Sequence, residues 1–260
     1  MERFEQEIAN LKTLAGWVCP IPSVRDARMD VQILAYYGLR WLLRPFLLRG
    51  VAIATHGINH LPQHGAAIVV CNHRSDTDGL LMAIALPRYI AWIVADYMTA
   101  LPITSQILTL TGMIPVKTEG HPRPSSIKQA LQRLQQGKLL GIFPEGEDYI
   151  FANNFDAPLA TFQSGFAHLA YTAQVPVIPA VIVPKAEKLE PITIPPRVRQ
   201  HLERHYDLTK IQSIARYRSA DIRLGKAIAL TPVANLPKQE QMGWLQMQTR
   251  QAMLNLQNRP

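Results

Sequence analysis

The feature that most constrains the fold is a repeated alternation of short β-branched runs with helical runs, which begins at Gly65. Strands are predicted at residues 67–70, 89–95, 113–116, 139–143 and 175–183, and helices at residues 80–86, 103–110, 126–136 and 162–173. Strands separated by helices pair in parallel, and helices then cover both faces of the sheet. The sequence therefore predicts an α/β fold with a mostly parallel central sheet flanked by helices.

The two ends of the chain follow other patterns. After Pro184 come a Pro-rich link, a polar helix near residues 198–215, a strand near 222–230 and a Gln-rich terminal helix at 239–257. Near the start, Phe4, Ile8 and Leu11 fall at helical spacing, and a very apolar helix is predicted from residue 31 to about Pro45. The start of the chain is thus predicted to be an N-terminal helical hairpin.

The apolar segment 31–48 is edged by Arg40 and Arg44, which lie on one helical face. This composition is typical of a segment that lies in the lipid interface, and equally of a hairpin packed on the domain; the two are compatible. We predict that residues 1–50 form an N-terminal helical membrane-associating segment and that residues 51–260 form the domain with the sheet. A stretch from 157 to 184 lacks charges, but its prolines exclude a transmembrane helix.

The net charge indicates the class of binding partner, and the cysteine content indicates the cellular compartment. The chain has 27 Lys and Arg against 19 Asp and Glu, a net charge of +8, and residues 201–260 hold nine cations against four acids. Such a balance suits an anionic membrane surface or a nucleic acid. The two cysteines, Cys19 and Cys71, with no preceding signal pattern, favour a reducing, cytoplasmic setting.

Two strand ends carry residues suited to chemistry. His73 follows the strand 67–70, and Asp78 comes five residues later at the predicted start of a helix. If the intervening turn folds back, the carboxylate reaches the imidazole and prepares it as a general base. Glu145 follows the strand 139–143 at the same sheet edge, where open α/β sheets bind ligands.

Four segments in this order resemble the glycerolipid acyltransferases, in particular the 1-acylglycerol-3-phosphate acyltransferases. The segments are Asn-His-x4-Asp at residues 72–78, Gly-x-Ile-x-x-Lys at 112–117, Phe-Pro-Glu-Gly at 143–146 and Val-Pro-x-Ile-Pro at 175–179. The resemblance implies that His73 is the catalytic base, that Asp78 orients it, and that Glu145 and Gly146 belong to the acceptor site. It makes residues 51–260 the acyltransferase domain.

The resemblance also implies the reaction and its setting. A fatty acyl group moves from acyl-CoA or acyl-carrier protein to the hydroxyl of a lysophospholipid, most simply 1-acylglycerol-3-phosphate, during phospholipid synthesis. It implies no cofactor and no metal, a peripheral or monotopic position on the cytoplasmic face of an anionic membrane, and no nucleic acid. Three histidines four residues apart, His56, His60 and His64, have zinc-like spacing, but the glycines and proline among them exclude the helix such a site needs.

The second and third segments depart from the family pattern. Lys117 stands where the family has Arg, and Glu147-Asp148 replaces the Thr-Arg that follows Phe-Pro-Glu-Gly. Positive charge for a phosphorylated acceptor is then expected from Arg74, Lys117 and Arg123, with His121 nearby in sequence. The alternatives are another acceptor (glycerol 3-phosphate, another lysolipid or an amino-acid-derived lipid) or a non-catalytic membrane-surface or nucleic-acid-binding protein with the same fold.

Overall fold

The computed structural model describes residues 30–117, 123–146, 159, 161–191, 193–196, 199–200, 203 and 213–258. The helices in this part of the chain are α1 (Val31–Leu48), α2 (Asp78–Ala85), α3 (Pro102–Leu110), α4 (Pro124–Gln135), α5 (Gly165–Ala173) and α6 (Lys238–Gln257). The strands are β1 (Ala52–His56), β2 (Ala67–Cys71), β3 (Ile90–Ala95), β4 (Ile114–Val116), β5 (Leu139–Ile142), β6 (Val177–Pro191) and β7 (Ser213–Leu224).

The strands form one seven-stranded sheet in the order β1-β7-β6-β2-β5-β3-β4. Strands β6, β2, β5, β3 and β4 are parallel to one another, whereas β7 pairs antiparallel with β6 and parallel with β1. Four of the six neighbouring pairs thus lie in the parallel part of the sheet. This arrangement confirms the prediction of a mostly parallel sheet flanked by helices.

Strand β2 forms the centre of the sheet because its sequence, Ala-Ile-Val-Val-Cys, has no polar residue to expose. All five residues are fully buried, as expected for a strand covered on both faces. Successive side chains point to opposite faces, so Ile68 and Val70 enter one apolar cluster and Val69 and Cys71 the other. Helix α2 belongs mainly to the second cluster, and helices α4, α5 and α6 to the first.

Helix α1 packs along one side on the last turn of α2 and the loop that follows it. The Tyr36 hydroxyl donates to the Ala83 carbonyl at 3.4 Å, the Tyr37 hydroxyl to Pro87, and the Arg40 guanidinium to the carbonyls of Leu86 and Ile84. Its opposite side exposes large apolar residues: Val31, Leu34, Trp41 and Leu42. The helix continues through Pro45 to Leu48, three residues beyond its expected end.

The chain after Pro184 differs from the sequence-based expectation. Strand β6 runs on to Pro191. Residues 199 and 200 are helical, as predicted for the start of the polar helix, but the end of that prediction is wrong because β7 runs from Ser213 to Leu224. The late strand predicted at 222–230 overlaps only the end of β7. Pro184 had suggested a strand end, but a register irregularity between Pro184 and Glu187 accommodates it. Residues 186–191 and 213–218, called here the β6–β7 arm, form a two-stranded extension beyond the end of β2.

Other predictions fall partly outside the described part of the chain. The helix over Phe4, Ile8 and Leu11 lies outside it, and the boundary at residue 50 stays a prediction, although residues 31–260 form one compact unit. None of the described helices is long and apolar enough to cross a bilayer.

Candidate active site

The site begins where β2 ends at the carboxyl edge of the sheet. The Asn72 side chain donates to the Ile182 carbonyl at 3.1 Å and accepts from the Ile182 amide at 2.7 Å. This two-point contact ties the exit of β2 to β6, and it directs the next residue, His73, out of the sheet. His73 is the first residue of the loop, with 17% of its side chain exposed.

The loop folds back so that Asp78 reaches His73. The Asp78 Oδ2 atom lies 3.0 Å from the His73 Nδ1 atom, as the sequence predicted. Since a carboxylate only accepts hydrogen bonds, Nδ1 carries the proton, and Nε2 keeps the lone pair that a general base needs. The geometry therefore presents an imidazole in the correct tautomer to accept a proton.

The Asp78 carboxylate is fully buried and held by several donors. Its Oδ2 atom also accepts from the amides of Arg74 and Ser75, at 2.6 and 2.8 Å. Its Oδ1 atom accepts from the Tyr217 hydroxyl at 2.9 Å. Asp78 is the first residue of α2, where the helix dipole favours a negative charge. These contacts compensate for burying the carboxylate.

Asp76, the other acid in this loop, has a different environment. Its side chain is 51% exposed and pairs with the Arg216 guanidinium on the β6–β7 arm. Asp78, and not Asp76, therefore contacts the imidazole.

An aromatic stack covers one face of the His73 imidazole ring. The Phe143 ring lies parallel to the imidazole with 4.1 Å between centroids, and Trp92 stacks on Phe143 at 4.8 Å. Gly141 makes this possible, because a Cβ atom there would lie 2.4 Å from the Trp92 ring. The imidazole is thus fixed both at Nδ1 and on one face.

Glu145 joins the third sequence segment to the first. Its Oε2 atom accepts a hydrogen bond from the His73 amide at 2.8 Å, and the side chain is buried. Gly146 closes the turn with its amide bonded to the Phe143 carbonyl, at a φ of +75° that favours glycine. The structure therefore brings Glu145 to His73, where it holds the backbone of the loop.

Arg74 lies beside these groups with unused donor capacity. Its Nη2 atom is 3.4 Å from Glu187 Oε1 on the β6–β7 arm, and only 10% of its side chain is exposed. Its Nε atom is buried and has no hydrogen-bond partner among the described residues. A buried guanidinium nitrogen of this kind is suited to an anionic ligand.

Lys117 and Arg123 lie further from His73. Lys117 follows β4, which is three strands from β2, so about 14 Å separates the two strand ends at ~4.8 Å per strand. Arg123 is 60% exposed, with its Nη2 atom 3.7 Å from Asp96 Oδ2. Both lie on the β4 side of the sheet, while His121, Glu147 and Asp148 lie outside the described residues.

Cys71, at the end of β2, is a buried thiol near the site. Burial, together with the negative charges of Asp78 and Glu145, raises the pKa of Cys71 well above its usual value. The thiol therefore stays neutral and is poorly suited to act as a nucleophile.

The histidines with zinc-like spacing have separate surroundings. His56 Nε2 lies 3.7 Å from Asp221, and His60 Nδ1 lies 2.9 Å from the Leu224 carbonyl oxygen. The described residues contain no group of three or more side chains arranged as metal ligands.

Sequence reasoning had assigned no role to three residues of the site: Asn72, Phe143 and Tyr217. Asn72 and Phe143 belong to the segments at 72–78 and 143–146. Their position close to His73 and Glu145 in the sequence could have identified them as residues of the site. Tyr217 lies 139 positions from Asp78, between the polar helix predicted at 198–215 and the strand predicted at 222–230. No local pattern connects it to the site.

A family comparison and sequence relatives agree on one group of proteins. The family model described as Acyltransferase matches residues 52–183, just over half of the chain. Proteins named 1-acyl-sn-glycerol-3-phosphate acyltransferase alpha are 29% identical over 65% of this chain in Ovis aries and 30% identical over 64% in Mus musculus. The matches span 57% and 59% of those proteins' own length.

A solved structure has a similar fold. The crystal structure of the 1-acyl-sn-glycerophosphate (LPA) acyltransferase PlsC from Thermotoga maritima superposes with a TM-score of 0.59. The match covers 99% of this chain and 90% of that one, at 15% identity. At this identity the likeness concerns the fold.

Proposed function

Because this chain belongs to the acyltransferase family, we propose that it transfers a fatty acyl group from a thioester to the hydroxyl of a lysophospholipid. The observation that carries the proposal is the 3.0 Å contact between His73 Nδ1 and the buried Asp78 carboxylate at the carboxyl edge of the sheet. The proposed donor is acyl-CoA or acyl-carrier protein. The proposed acceptor is 1-acylglycerol-3-phosphate.

In the proposed reaction, His73 Nε2 removes the proton of the acceptor hydroxyl as its oxygen attacks the thioester carbonyl carbon. Asp78 stabilises the imidazolium that forms and keeps its tautomer fixed. When the tetrahedral intermediate collapses, the carbon–sulfur bond breaks, and the leaving thiolate takes the proton from the imidazolium. The products are the ester and the free thiol, and His73 returns to its starting state.

The environment of Cys71 favours direct transfer over an acyl-enzyme. Its thiol is fully buried, and its raised pKa keeps it protonated at neutral pH. The attacking oxygen in the proposal therefore belongs to the acceptor.

Three cations are proposed to bind the acceptor phosphate: Arg74, Lys117 and Arg123. Arg74 is adjacent to the base and has a buried donor without a described partner. Lys117 and Arg123 extend the positive charge along the edge towards β4. Gly146 and Glu145 are proposed to border the same acceptor site through the turn that follows β5.

A second acceptor remains a candidate because of the sequence Glu147-Asp148, which brings two negative charges where the family has a cation. An acceptor without a phosphate dianion, or one with a cationic headgroup, would tolerate these acids better. Another lysolipid or an amino-acid-derived lipid would then replace 1-acylglycerol-3-phosphate, whereas glycerol 3-phosphate carries the same dianion and gains nothing from these acids.

The test is an acyl-transfer assay with radiolabelled acyl-CoA and acyl-carrier protein against a panel of acceptors. The panel contains 1-acylglycerol-3-phosphate, glycerol 3-phosphate, lysophosphatidylcholine and a singly acylated amino-acid-derived lipid. We expect the highest kcat/KM with 1-acylglycerol-3-phosphate. No transfer to any acceptor from either donor would contradict the enzyme assignment and favour a non-catalytic protein with this fold.

The variants Lys117→Ala and Arg123→Ala are expected to raise the KM for the phosphate-bearing acceptor by about three- to tenfold each, because exposed cations stabilise a phosphate modestly. The KM for the acyl donor should stay near the wild-type value. Steady-state kinetics with each substrate varied in turn measures both effects. Lys128→Ala, which removes an exposed lysine on α4, is the matched control. Unchanged acceptor KM in both variants would favour an acceptor without phosphate.

Membrane association is proposed to use the exposed side of α1. Trp41 and Leu42 are 77% and 54% exposed, although the helix is anchored to the domain by Tyr36 and Arg40. Apolar side chains so placed gain about 1.5–3 kcal/mol each when they enter lipid. The basic segment 201–260 adds an attraction to anionic lipids that salt screens.

The double variant Trp41→Ser/Leu42→Gln is expected to lower the fraction bound to anionic vesicles by about tenfold or more, since two insertions are lost. The remaining binding should fall as salt rises. Vesicle flotation at low and high salt measures both effects, with Met247→Gln, an exposed apolar residue on α6, as control. Substitution is preferable to deletion because the buried Tyr36 belongs to the same helix. Equal flotation of the double variant and wild type would place the membrane contact elsewhere.

A further inference from the structure

The β6–β7 arm contacts residues 73–78, the segment from His73 to Asp78, at three places. Glu187 pairs with Arg74 at 3.4 Å, Arg216 pairs with Asp76, and the Tyr217 hydroxyl donates to Asp78 Oδ1 at 2.9 Å. Only the third contact reaches a residue of the His73–Asp78 pair. We infer that Tyr217 is a positioning residue, which acts through Asp78 to hold His73 in the orientation that base catalysis requires.

The donors around Asp78 show why this hydroxyl matters. Oδ2 accepts from His73 Nδ1 and from the amides of Arg74 and Ser75. Among the described residues, Tyr217 is the donor to Oδ1. Without it, a fully buried carboxylate oxygen loses its partner, and the carboxylate gains freedom to rotate away from the imidazole. The Nδ1–Oδ2 hydrogen bond would then be formed for a smaller share of the time.

The arm holds Tyr217 in place for this role. Tyr217 is paired across the strands with Glu187, and partners in an antiparallel ladder project to the same face. Glu187 reaches Arg74 from that face, so the two cross-strand neighbours contact two residues of the same loop. The tyrosine is itself 3% exposed, and burial, with the nearby Asp78 charge, raises its pKa well above 10. The phenol therefore remains a proton donor at every pH at which the enzyme would work.

Other charged or titratable groups surround the pair. They are Arg74 with its partner Glu187, Glu145 on the turn after β5, Cys71 at the end of β2, and the ion pair of Asp76 with Arg216. Tyr217→Phe leaves the charge of each of these groups unchanged, because it removes only a neutral hydroxyl. An effect of this substitution on His73 therefore reports the hydrogen bond to Asp78.

The inference rests on the proposed function, and its test has one readout that needs no acyl transfer. In Tyr217→Phe, the His73 Nδ1 proton, which the wild type donates to Asp78, should exchange with water several-fold faster by NMR, because a less well held carboxylate keeps this hydrogen bond for a smaller share of the time. In the assay, kcat should fall about 10–100-fold with an acceptor KM that changes less than about twofold.

The matched control is Tyr89→Phe. It removes the hydroxyl of another buried tyrosine, whose partner is the Thr111 carbonyl at the opposite end of β3 from the site. It should leave the exchange of the His73 Nδ1 proton and kcat unchanged. A Tyr217→Phe protein whose His73 Nδ1 proton exchanges at the wild-type rate overturns the inference whether or not the protein transfers acyl groups. Faster exchange in Tyr217→Phe without any acyl transfer by the wild type would count against the proposed function alone.

A double-mutant cycle tests whether Tyr217 acts through Asp78. In the Asp78→Asn background, Tyr217→Phe should cause little further loss of kcat; fully multiplicative losses would overturn the inference. If Tyr217→Phe fails to fold, the wild-type protein supplies the measurement. The His73 Nδ1 proton of the wild type should exchange slowly with water, and a freely exchanging proton would show that Asp78 is not held against the imidazole and would overturn the inference.

Discussion

His73→Ala is expected to reduce acyl transfer by at least about 10²–10⁴-fold, because it removes the group that takes the acceptor proton. The loss should appear in kcat with both donor types, since the same base serves either thioester. The fold should survive, because His73 lies in a loop and belongs to neither apolar cluster. Acyl-transfer kinetics and a thermal melt on the same preparation measure both properties.

The matched control for this prediction is His64→Ala, which removes an exposed histidine from the loop before β2. It should retain wild-type kcat and Tm. Vesicle flotation of His73→Ala should also match the wild type, since the exposed side of α1 is untouched. Near-wild-type turnover by a folded His73→Ala protein would remove the catalytic assignment of this residue.

Asp78→Asn is expected to lower kcat by about 10²–10⁴-fold with a small effect on acceptor KM. An asparagine has room to keep its carbonyl oxygen on the amides of Arg74 and Ser75, and to turn its amide group to the Tyr217 oxygen. The shape of the site would therefore persist while the negative charge that supports the imidazolium disappears. Steady-state kinetics, with circular dichroism to confirm folding, tests the prediction.

Asp76→Asn tests whether Asp76 or Asp78 is the acid that orients His73. Asp76 is half exposed and pairs with Arg216, so its substitution removes a surface ion pair that is worth little. It should change kcat by less than about threefold. Full activity of Asp78→Asn together with a large loss in Asp76→Asn would identify Asp76 as the orienting acid.

Much of the fold was accessible from local patterns. The β-branched run at 67–70 predicted a strand, and the alternation from residue 65 to 183 predicted the parallel sheet covered by helices. These inferences succeeded because periodicity and burial are properties of neighbouring residues along the chain. The predicted His73–Asp78 contact also succeeded, since it needs only a strand end, a five-residue turn and a helix start.

The chain beyond Pro184 shows where local patterns were insufficient. A polar helix was predicted as far as residue 215 and a strand only from 222, yet β7 begins at Ser213 because β6 extends past the rest of the sheet and supplies the hydrogen-bonding edge. Strand propensity depends on the partner strand, and that partner lies elsewhere in the chain.

The sequence by itself determined the α/β class, the position of His73 at a strand end and the acid that reaches it. Tertiary structure alone decided what surrounds this pair: Tyr217 on Asp78, Phe143 on the imidazole and Arg74 against Glu187. It also separated Lys117 from His73 by the width of three strands and placed Arg123 beside Asp96, which follows β3. The physical reason is that such contacts join strands distant in sequence, and their geometry follows from strand order and register, which no local pattern encodes.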